Sequence, residues 1–565
     1  MNQEYIRHQY QLWRDKAVED EDVAEELRQM ENDDEKMESA FYRNLEFGTG
    51  GLRGVIGAGT NRMNIYTVAK ASQGLANYVC RNFPKAQWKV AVSYDSRIKS
   101  KLFARTASSV FAANGIRVFL YSQLMPTPCL SFAVRYLGCK AGVMVTASHN
   151  PSKYNGYKVY GPDGCQITTE GAEAVLTEIE ALDLFADIKK ADFDQMLSEG
   201  VISYIDEEVY TAFTEEVKRQ TMLRPDTKID RNVSICYTPL NGTGLKPVLR
   251  ALKESGFTNI TVVKEQENPD GTFPTCPYPN PEIREAMSLG MDYAKRYQAD
   301  LLLATDPDCD RVGIAVKDPE GEYVLLSGNE TGMLLLDYIC SRRLEMGTMP
   351  EDPVMIKTIV TIDMAERIAS HYGVRTINVL TGFKFIGEQI GLLEKQGKEA
   401  SYLFGFEESY GYLSGTYVRD KDAVNGAFLI CEMFAYYKTR GISLYEKLQE
   451  LYQTYGYCLN TLHSFEFDGA AGFDKMQKIM RNFRRGVDSL VGKKVKKCLD
   501  YAQGLDGLPK SDVLKFLLED HCSVVVRPSG TEPKMKTYIS VSAEDPSQAA
   551  RMEEELARSL NSYFQ

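Results

Sequence analysis

Apolar residues in this chain come in short runs that end on polar tips, and the runs alternate with longer stretches of helical spacing. The run Ala141-Gly142-Val143-Met144-Val145 is followed by turn formers, which predicts a short buried strand. Residues 88–95 read as a strand ending on Asp95, residues 101–114 as a helix, and residues 116–121 as the next strand. The pattern restarts near residue 233, where an apolar strand meets the turn Asn241-Gly242-Thr243-Gly244 and then a helix. It restarts again near residue 354. Such alternation predicts mostly parallel or mixed sheets covered by helices. Ahead of it, residues 3–45 carry charged helical patterns and lead into a glycine-rich stretch over 48–59. From about residue 455 strand and helix signals are mixed.

Composition narrows the class. A chain of 565 residues exceeds one hydrophobic core and should divide into several. An apolar content of 44% and a charged content of 25% are those of a soluble globular protein. The net charge of -12 speaks against nucleic acid as a partner. It also means that an anionic substrate must be drawn by local cations. The 12 cysteines are scattered without a CxxC pair, and the first residues lack an apolar signal region. They read as reduced thiols of a cytoplasmic protein. No apolar stretch is long enough to cross a bilayer, so no membrane association is expected. Oligomeric state is not readable.

Four polar loops carry the chemistry. In Val145-Thr146-Ala147-Ser148-His149-Asn150-Pro151, a serine sits on a loop just past a strand, where α/β proteins place their reactive groups. His149 is adjacent and Lys158 follows closely, so a hydroxyl, an imidazole and an amine could serve a covalent intermediate. A turn that only caps a helix explains the same residues equally well. In Asp306-Pro307-Asp308-Cys309-Asp310-Arg311, three carboxylates at alternate positions of an extended loop can converge on one hard cation such as Mg²⁺. An acidic surface turn is the weaker alternative for the same residues. An EF-hand fails, because Arg311 and Lys317 stand where Gly and Glu are needed. In Gly405-Phe406-Glu407-Glu408-Ser409-Tyr410-Gly411, carboxylates and a hydroxyl between glycines could grip neighbouring sugar hydroxyls. Arg527-Pro528-Ser529-Gly530-Thr531-Glu532-Pro533 offers a guanidinium, hydroxyls and backbone N–H groups for a phosphate, without the Walker A pattern.

These four loops, in this order, resemble the signatures of the α-D-phosphohexomutase family, and Phe47-Gly48-Thr49-Gly50-Gly51-Leu52-Arg53-Gly54 resembles its N-terminal signature. The likeness is greatest to bacterial phosphoglucomutases related to the animal phosphoglucomutase/phosphopentomutase branch. The resemblance implies three similar α/β domains with mixed sheets, then a C-terminal α+β domain like the TATA-binding protein, around a central cleft. Boundaries fall near residues 206, 327 and 456, giving units 1–206, 207–327, 328–455 and 456–565.

The same resemblance implies a phosphoserine at Ser148, with Mg²⁺ held by Ser148, Asp306, Asp308 and Asp310. Proton transfer would fall to His149 and Lys158, helped by Arg53 and Arg311. The substrate would be a small phosphosugar. Its contacts would be Thr381, Gly382, Lys384, Glu407, Ser409, Lys421, Arg527, Ser529, Gly530 and Thr531. The activity implied is interconversion of glucose 1-phosphate and glucose 6-phosphate, primed by glucose 1,6-bisphosphate. Mannose or pentose phosphates, glucose 1,6-bisphosphate synthesis, and a noncatalytic scaffold are the alternatives. Asp95 and Arg97 match a pair that supports the phosphoserine loop. Asp363 and His371 read as structural.

Overall fold

A computed structural model describes residues 3–48, 50–467, 469–490, 492–505, 507–528 and 534–564. Ser529, Gly530 and Thr531 of the expected phosphate loop, and Thr49, lie outside the described residues. Among the described residues, four sheets follow one another along the chain.

The first sheet has the strand order Gly51–Val55, Tyr154–Tyr160, Ala141–Val145, Lys89–Tyr94, Arg117–Leu120, Ile202–Tyr204. Its last four strands are mutually parallel and its first two are antiparallel to their neighbours. The second sheet runs Tyr323–Leu326, Val312–Lys317, Leu301–Thr305, Ile235–Thr238, Ile260–Val262, and is also mixed. The third, Arg375–Val379, Val354–Thr358, Tyr402–Glu407, Gly411–Ser414, is mixed as well. The sheet that begins at Tyr457–Glu466 is antiparallel throughout, with helices Gly469–Arg484 and Pro546–Phe564 beside it in the chain. The expected α/β class and the different C-terminal unit are therefore present.

The first three sheets repeat one device. Each turns from parallel to antiparallel pairing at a single hairpin: 141–160, 301–317 and 402–414. Each hairpin loop carries one non-glycine residue in the left-handed region: Ser148 at φ 51°, Cys309 at 51° and Tyr410 at 64°. A residue with a side chain pays steric energy there, so such turns persist only where surroundings hold them. Strand Ala141–Val145 is buried along its length, as its continuous apolar run predicts. So is Leu301–Thr305.

The charged opening segment forms three helices, Gln3–Lys16, Glu21–Gln29 and Asp34–Phe41. Their apolar stripes close around Trp13, which is fully buried and meets Tyr66 and Phe185 edge-on at 5.4 Å and 5.7 Å. Lys99 then pairs with Asp20 and Asp22, both at 2.9 Å, tying these helices to the segment beside Arg97. The third and C-terminal sheets meet at Asp363, which accepts from Lys515 Nζ at 2.7 Å, Ser523 Oγ at 2.7 Å and Lys357 Nζ at 3.2 Å. Asp363 thus has a joining role, and His371 packs edge-on to Tyr455 at 5.8 Å. Among the described residues, no helix is long and apolar enough to cross a membrane.

Helix Ala423–Lys438 runs through the main core with nearly every residue buried. Its N-cap Asp422 accepts from Val424 N at 2.8 Å and Asn425 N at 3.0 Å, and from Tyr417 Oη at 2.7 Å. Burial nevertheless pushes its carboxyl up to about 6. A raised carboxyl favours folding in its neutral form, so this contribution is full below about pH 4 and is lost as the pH rises through about 6. Asp422→Asn keeps a cap acceptor and stays neutral. Its stability relative to the parent should therefore rise by about 2 kcal/mol between pH 4.5 and 7.5. Urea denaturation at the two pH values measures this, and an unchanged difference contradicts it.

Candidate active site

Strand Lys89–Tyr94 delivers Asp95 to the site's floor. Asp95 accepts from Arg97 N at 2.9 Å and Ser100 Oγ at 2.8 Å. The buried Arg97 guanidinium then gathers the serine loop. It donates to Pro151 O and Tyr154 O at 3.0 Å each, and to Ser148 O and Asn150 O. Four carbonyls converge on one cation, which holds the left-handed Ser148 in place. Thr146 Oγ1 accepts from Ser148 N at 2.8 Å. Asp95 and Arg97 thus brace the loop.

The serine hydroxyl faces the second unit. Ser148 Oγ donates to Asp306 Oδ2 at 2.8 Å and lies 3.2 Å from His149 Nδ1. Asp306, Asp308 and Asp310 are buried, with oxygens within 4.8 Å of one another. Close packing backs this loop: a Cβ on Gly242 would strike Pro307. Asp306 Oδ1 accepts from the backbone of Asp310 at 3.1 Å and Arg311 at 3.0 Å. Asp308 Oδ2 accepts from Lys158 Nζ and Thr127 Oγ1, both at 2.9 Å. Asp310 Oδ2 lies 3.0 Å from Lys421 Nζ and 3.4 Å from Lys158 Nζ.

Two oxygens are left over. Asp308 Oδ1 and Asp310 Oδ1 are buried and have no hydrogen-bond partner. Orphaned buried carboxylate oxygens are costly, and a cation is the natural partner. An all-oxygen donor set suits a hard divalent ion. The site's electrostatics point the same way. Burial, then the charges of Asp308 and Asp310, raises the Asp306 carboxyl well above its ordinary range. Burial opposes ionisation of Asp308 too, but Lys158 overrides it and the net shift is downward. Burial penalises the Lys158 ammonium, yet Asp308 and Asp310 leave its pKa raised. Burial, then Arg311 and Arg53, lowers His149 well below its ordinary value. The lysine is held protonated and the imidazole neutral.

Arg53 projects from strand Gly51–Val55, with Nη1 3.5 Å from Asn150 Oδ1. Arg311 pairs with Glu282, a residue the sequence reading passed over, since Asn280-Pro281-Glu282 signals only a turn. Thr127 was passed over as well: Pro126-Thr127-Pro128 reads as a helix start and says nothing of Asp308.

The third unit contributes Glu407 at the end of strand Tyr402–Glu407. Burial first, then Glu408, raises the Glu407 carboxyl. Glu408 is tied back by Thr358 Oγ1 at 3.2 Å and Thr361 Oγ1 at 3.3 Å. Ser409 is half-buried beside it and bonds Glu407. Lys421, read from the sequence as facing a sugar phosphate, is paired with Asp310 and with Asp420 at 3.3 Å. Gly382 turns at φ 118° into helix Phe383–Lys395, with Thr381 before it, and Lys384 Nζ lies 5.1 Å from the Phe385 ring. Arg527 stands on strand Ser523–Pro528, 6.0 Å over Tyr538; burial raises the Glu408 carboxyl, and the Arg527 charge offsets a small part of that. Ser148, the three aspartates, Lys158 and Lys421 are therefore brought together by bonds that run between different units.

Comparison with known proteins agrees with this geometry. Models of the phosphoglucomutase/phosphomannomutase family match in order: alpha/beta/alpha domain I at residues 44–185, domain II at 211–321, domain III at 327–455 and the C-terminal domain at 473–559. A phosphoglucomutase of Staphylococcus saprophyticus is 37% identical over 528 residues, covering 91% of this chain and 93% of the relative. One from Staphylococcus aureus is 36% identical over 544 residues, covering 94% and 95%. The crystal structure of a putative phosphomannomutase from Thermus thermophilus shares the fold, with TM-score 0.69, 24% identity, and coverage of 92% of this chain and 99% of that one. With four family domains matched in sequence and close to full-length relatives at this identity, the chain belongs to the phosphoglucomutase/phosphomannomutase family of the α-D-phosphohexomutases.

Proposed function

We propose that this protein is a phosphoglucomutase that interconverts glucose 1-phosphate and glucose 6-phosphate through a phosphoserine at Ser148. The observation that carries the reading is the 2.8 Å bond from Ser148 Oγ to Asp306 of the carboxylate triad, which sets a nucleophile against a cation site. Full-length likeness to proteins named phosphoglucomutase supports the choice of glucose. The units divide near residues 206, 327 and 456, and each supplies one of the four loops.

In the active form Ser148 carries a phosphoryl group. A sugar hydroxyl attacks that phosphorus, the Ser148 Oγ–P bond breaks, and glucose 1,6-bisphosphate forms. The bisphosphate turns end for end. Ser148 Oγ then takes the other phosphoryl group and the isomeric monophosphate leaves. His149, held neutral, is suited to accept the attacking hydroxyl's proton. Lys158, held charged, is suited to neutralise phosphoryl oxygens and return a proton to a leaving oxygen. Arg53 and Arg311 add positive charge around the same group. Asp306, Asp308, Asp310 and a Ser148 phosphate oxygen would hold Mg²⁺. When bound, the ion offsets charge on the transferring group. Glu407 and Ser409 grip ring hydroxyls in either pose. Lys384, Thr381, Gly382 and Arg527, with Ser529, Gly530 and Thr531, hold the end that is not reacting, while Lys421, seated on Asp310, meets the phosphate on the cation side. Glucose 1,6-bisphosphate primes enzyme that has lost its phosphate.

Purified protein should carry phosphate on Ser148, seen by intact-mass spectrometry and absent from Ser148→Ala. That variant should lose at least about two orders of magnitude in turnover with glucose 1-phosphate. Near-normal turnover would sink the covalent route. Running the coupled assay with mannose 1-phosphate and ribose 1-phosphate as well reads the substrate directly, and a preference for either displaces glucose.

Asp308→Asn should lower turnover at limiting Mg²⁺ by about tenfold or more and leave sugar-phosphate affinity nearly unchanged. An unchanged rate there means that the triad is only an acidic turn.

Arg527→Ala should reduce efficiency with glucose 1-phosphate by about two orders of magnitude, as expected for loss of a bidentate phosphate contact worth about 2–4 kcal/mol. It should also release more bisphosphate per turnover. Lysine should restore only part, having no fork. If both readings stay at parental levels, Arg527 does not hold the substrate.

A further inference from the structure

The orientation of Asp308 is decided in part by a residue of another sheet's unit. Helix Thr127–Tyr136 starts with Thr127 between Pro126 and Pro128, and no side chain caps it. Thr127 N donates to Asp308 O at 2.9 Å, and Thr127 Oγ1 donates to Asp308 Oδ2 at 2.9 Å. The residue is fully buried. Among the described residues, its hydroxyl makes no other hydrogen bond as donor or acceptor. Two flanking prolines narrow the backbone, a β-branched side chain narrows χ1, and the backbone bond fixes the approach. The hydroxyl is therefore aimed at one carboxylate oxygen before any ligand arrives.

The other group on that oxygen is less dedicated. Lys158 Nζ lies 2.9 Å from Asp308 Oδ2 but also 3.4 Å from Asp310 Oδ2. An ammonium is a point charge and can follow either carboxylate. A carboxylate's own terminal torsion is soft. With only the lysine to hold it, Asp308 could turn its carboxylate plane away from the arrangement that leaves one oxygen unused. Thr127 selects Oδ2 for the protein, and the oxygen it leaves over, Oδ1, is buried and has no hydrogen-bond partner.

We propose that Thr127 is a positioning residue of the cation site: its hydroxyl holds Asp308 so that Oδ1 faces the divalent ion, and so sets the site's affinity for that ion. The proposal rests on the triad as a divalent-cation site and not on which sugar is used. Supporting bonds to metal ligands typically matter by about 10–100-fold in affinity. A plain structural clasp would behave otherwise. It would cost stability when cut but would not act on metal binding.

The test uses the full-length protein, stripped with chelator, and Mn²⁺ as the probe, followed by titration calorimetry and the EPR signal of free Mn²⁺. Thr127→Val removes the hydroxyl at nearly constant shape, and Thr127→Ser keeps it. The valine variant should bind Mn²⁺ about 10–100-fold more weakly than the parent, and the serine variant within about threefold of it. Thermal melts of the metal-free proteins accompany the titrations, and Thr127→Ala replaces the valine variant if that protein does not fold. Equal Mn²⁺ affinity for parent and hydroxyl-deleted protein overturns the role of Thr127. So does a serine variant as weak as the valine variant. A parent protein that binds no Mn²⁺ overturns the cation site itself, a different result from either.

Discussion

Three buried carboxylates with oxygens within 4.8 Å of one another cannot all stay ionised unless positive charge is brought to them. Much of the architecture answers that demand. Lys158 comes from strand Tyr154–Tyr160 of the first sheet, Lys421 from the segment after the third sheet's hairpin, and backbone N–H groups from the aspartate loop itself. Lys421 takes an oxygen of Asp310, Lys158 one each of Asp308 and Asp310, and the backbone one of Asp306, which leaves Asp308 Oδ1 and Asp310 Oδ1 without a hydrogen bond. The cation site is thus defined from outside, by which oxygens the protein has already used. Interactions that hold the triad also hold the units together, because the groups that neutralise it belong to different sheets.

Legibility from sequence followed the range of the interactions. Ser148 and the aspartates could be read because their chemistry lies in contiguous runs just past apolar strands. The three restarts could be counted but not equated, since their residues differ. The structure equates them by backbone shape: a parallel-to-antiparallel hairpin with Ser148, Cys309 or Tyr410 in the left-handed region. None of the three is glycine, so the usual residue signal for that conformation is missing. Thr127 and Glu282 were illegible for another reason. Each acts on one residue of the aspartate loop, over 181 and 29 positions of chain, and nothing local marks the partner. Lys421 was legible as a cation of the site, but its pairing with Asp310 depends on how the third unit seats against the second.

The segment ahead of the family-matched region, residues 3–43, earns its place through the same loop. Ser148's strained backbone is gathered by Arg97, and two residues later Lys99 is anchored by Asp20 and Asp22 of the opening helices. Glu26 accepts from Ala58 N at 2.8 Å, just beyond the strand that carries Arg53. A second brace is therefore placed on the glycine-rich stretch.

The distribution of bonds also bears on how one site could serve a ligand in two opposite poses. The third unit is fastened to the first by Tyr160 Oη on Asp420 at 2.7 Å and by Arg419 N on Ser131 Oγ at 2.9 Å. Asp420 in turn pairs with Lys421, which reaches the triad. Ser148, the aspartate triad and the third unit that carries Glu407 are therefore tied together by buried contacts. Among the described residues, Arg527 is not part of that chain of bonds. Its sheet joins the third unit through Asp363, Lys515 and Ser523, a cluster with charges and partners of its own. A grip on the distal phosphate can then be made and released without breaking any bond to the aspartates. Under the proposed reading that separation is what a turning bisphosphate requires: the reacting end keeps its geometry while the far end is let go.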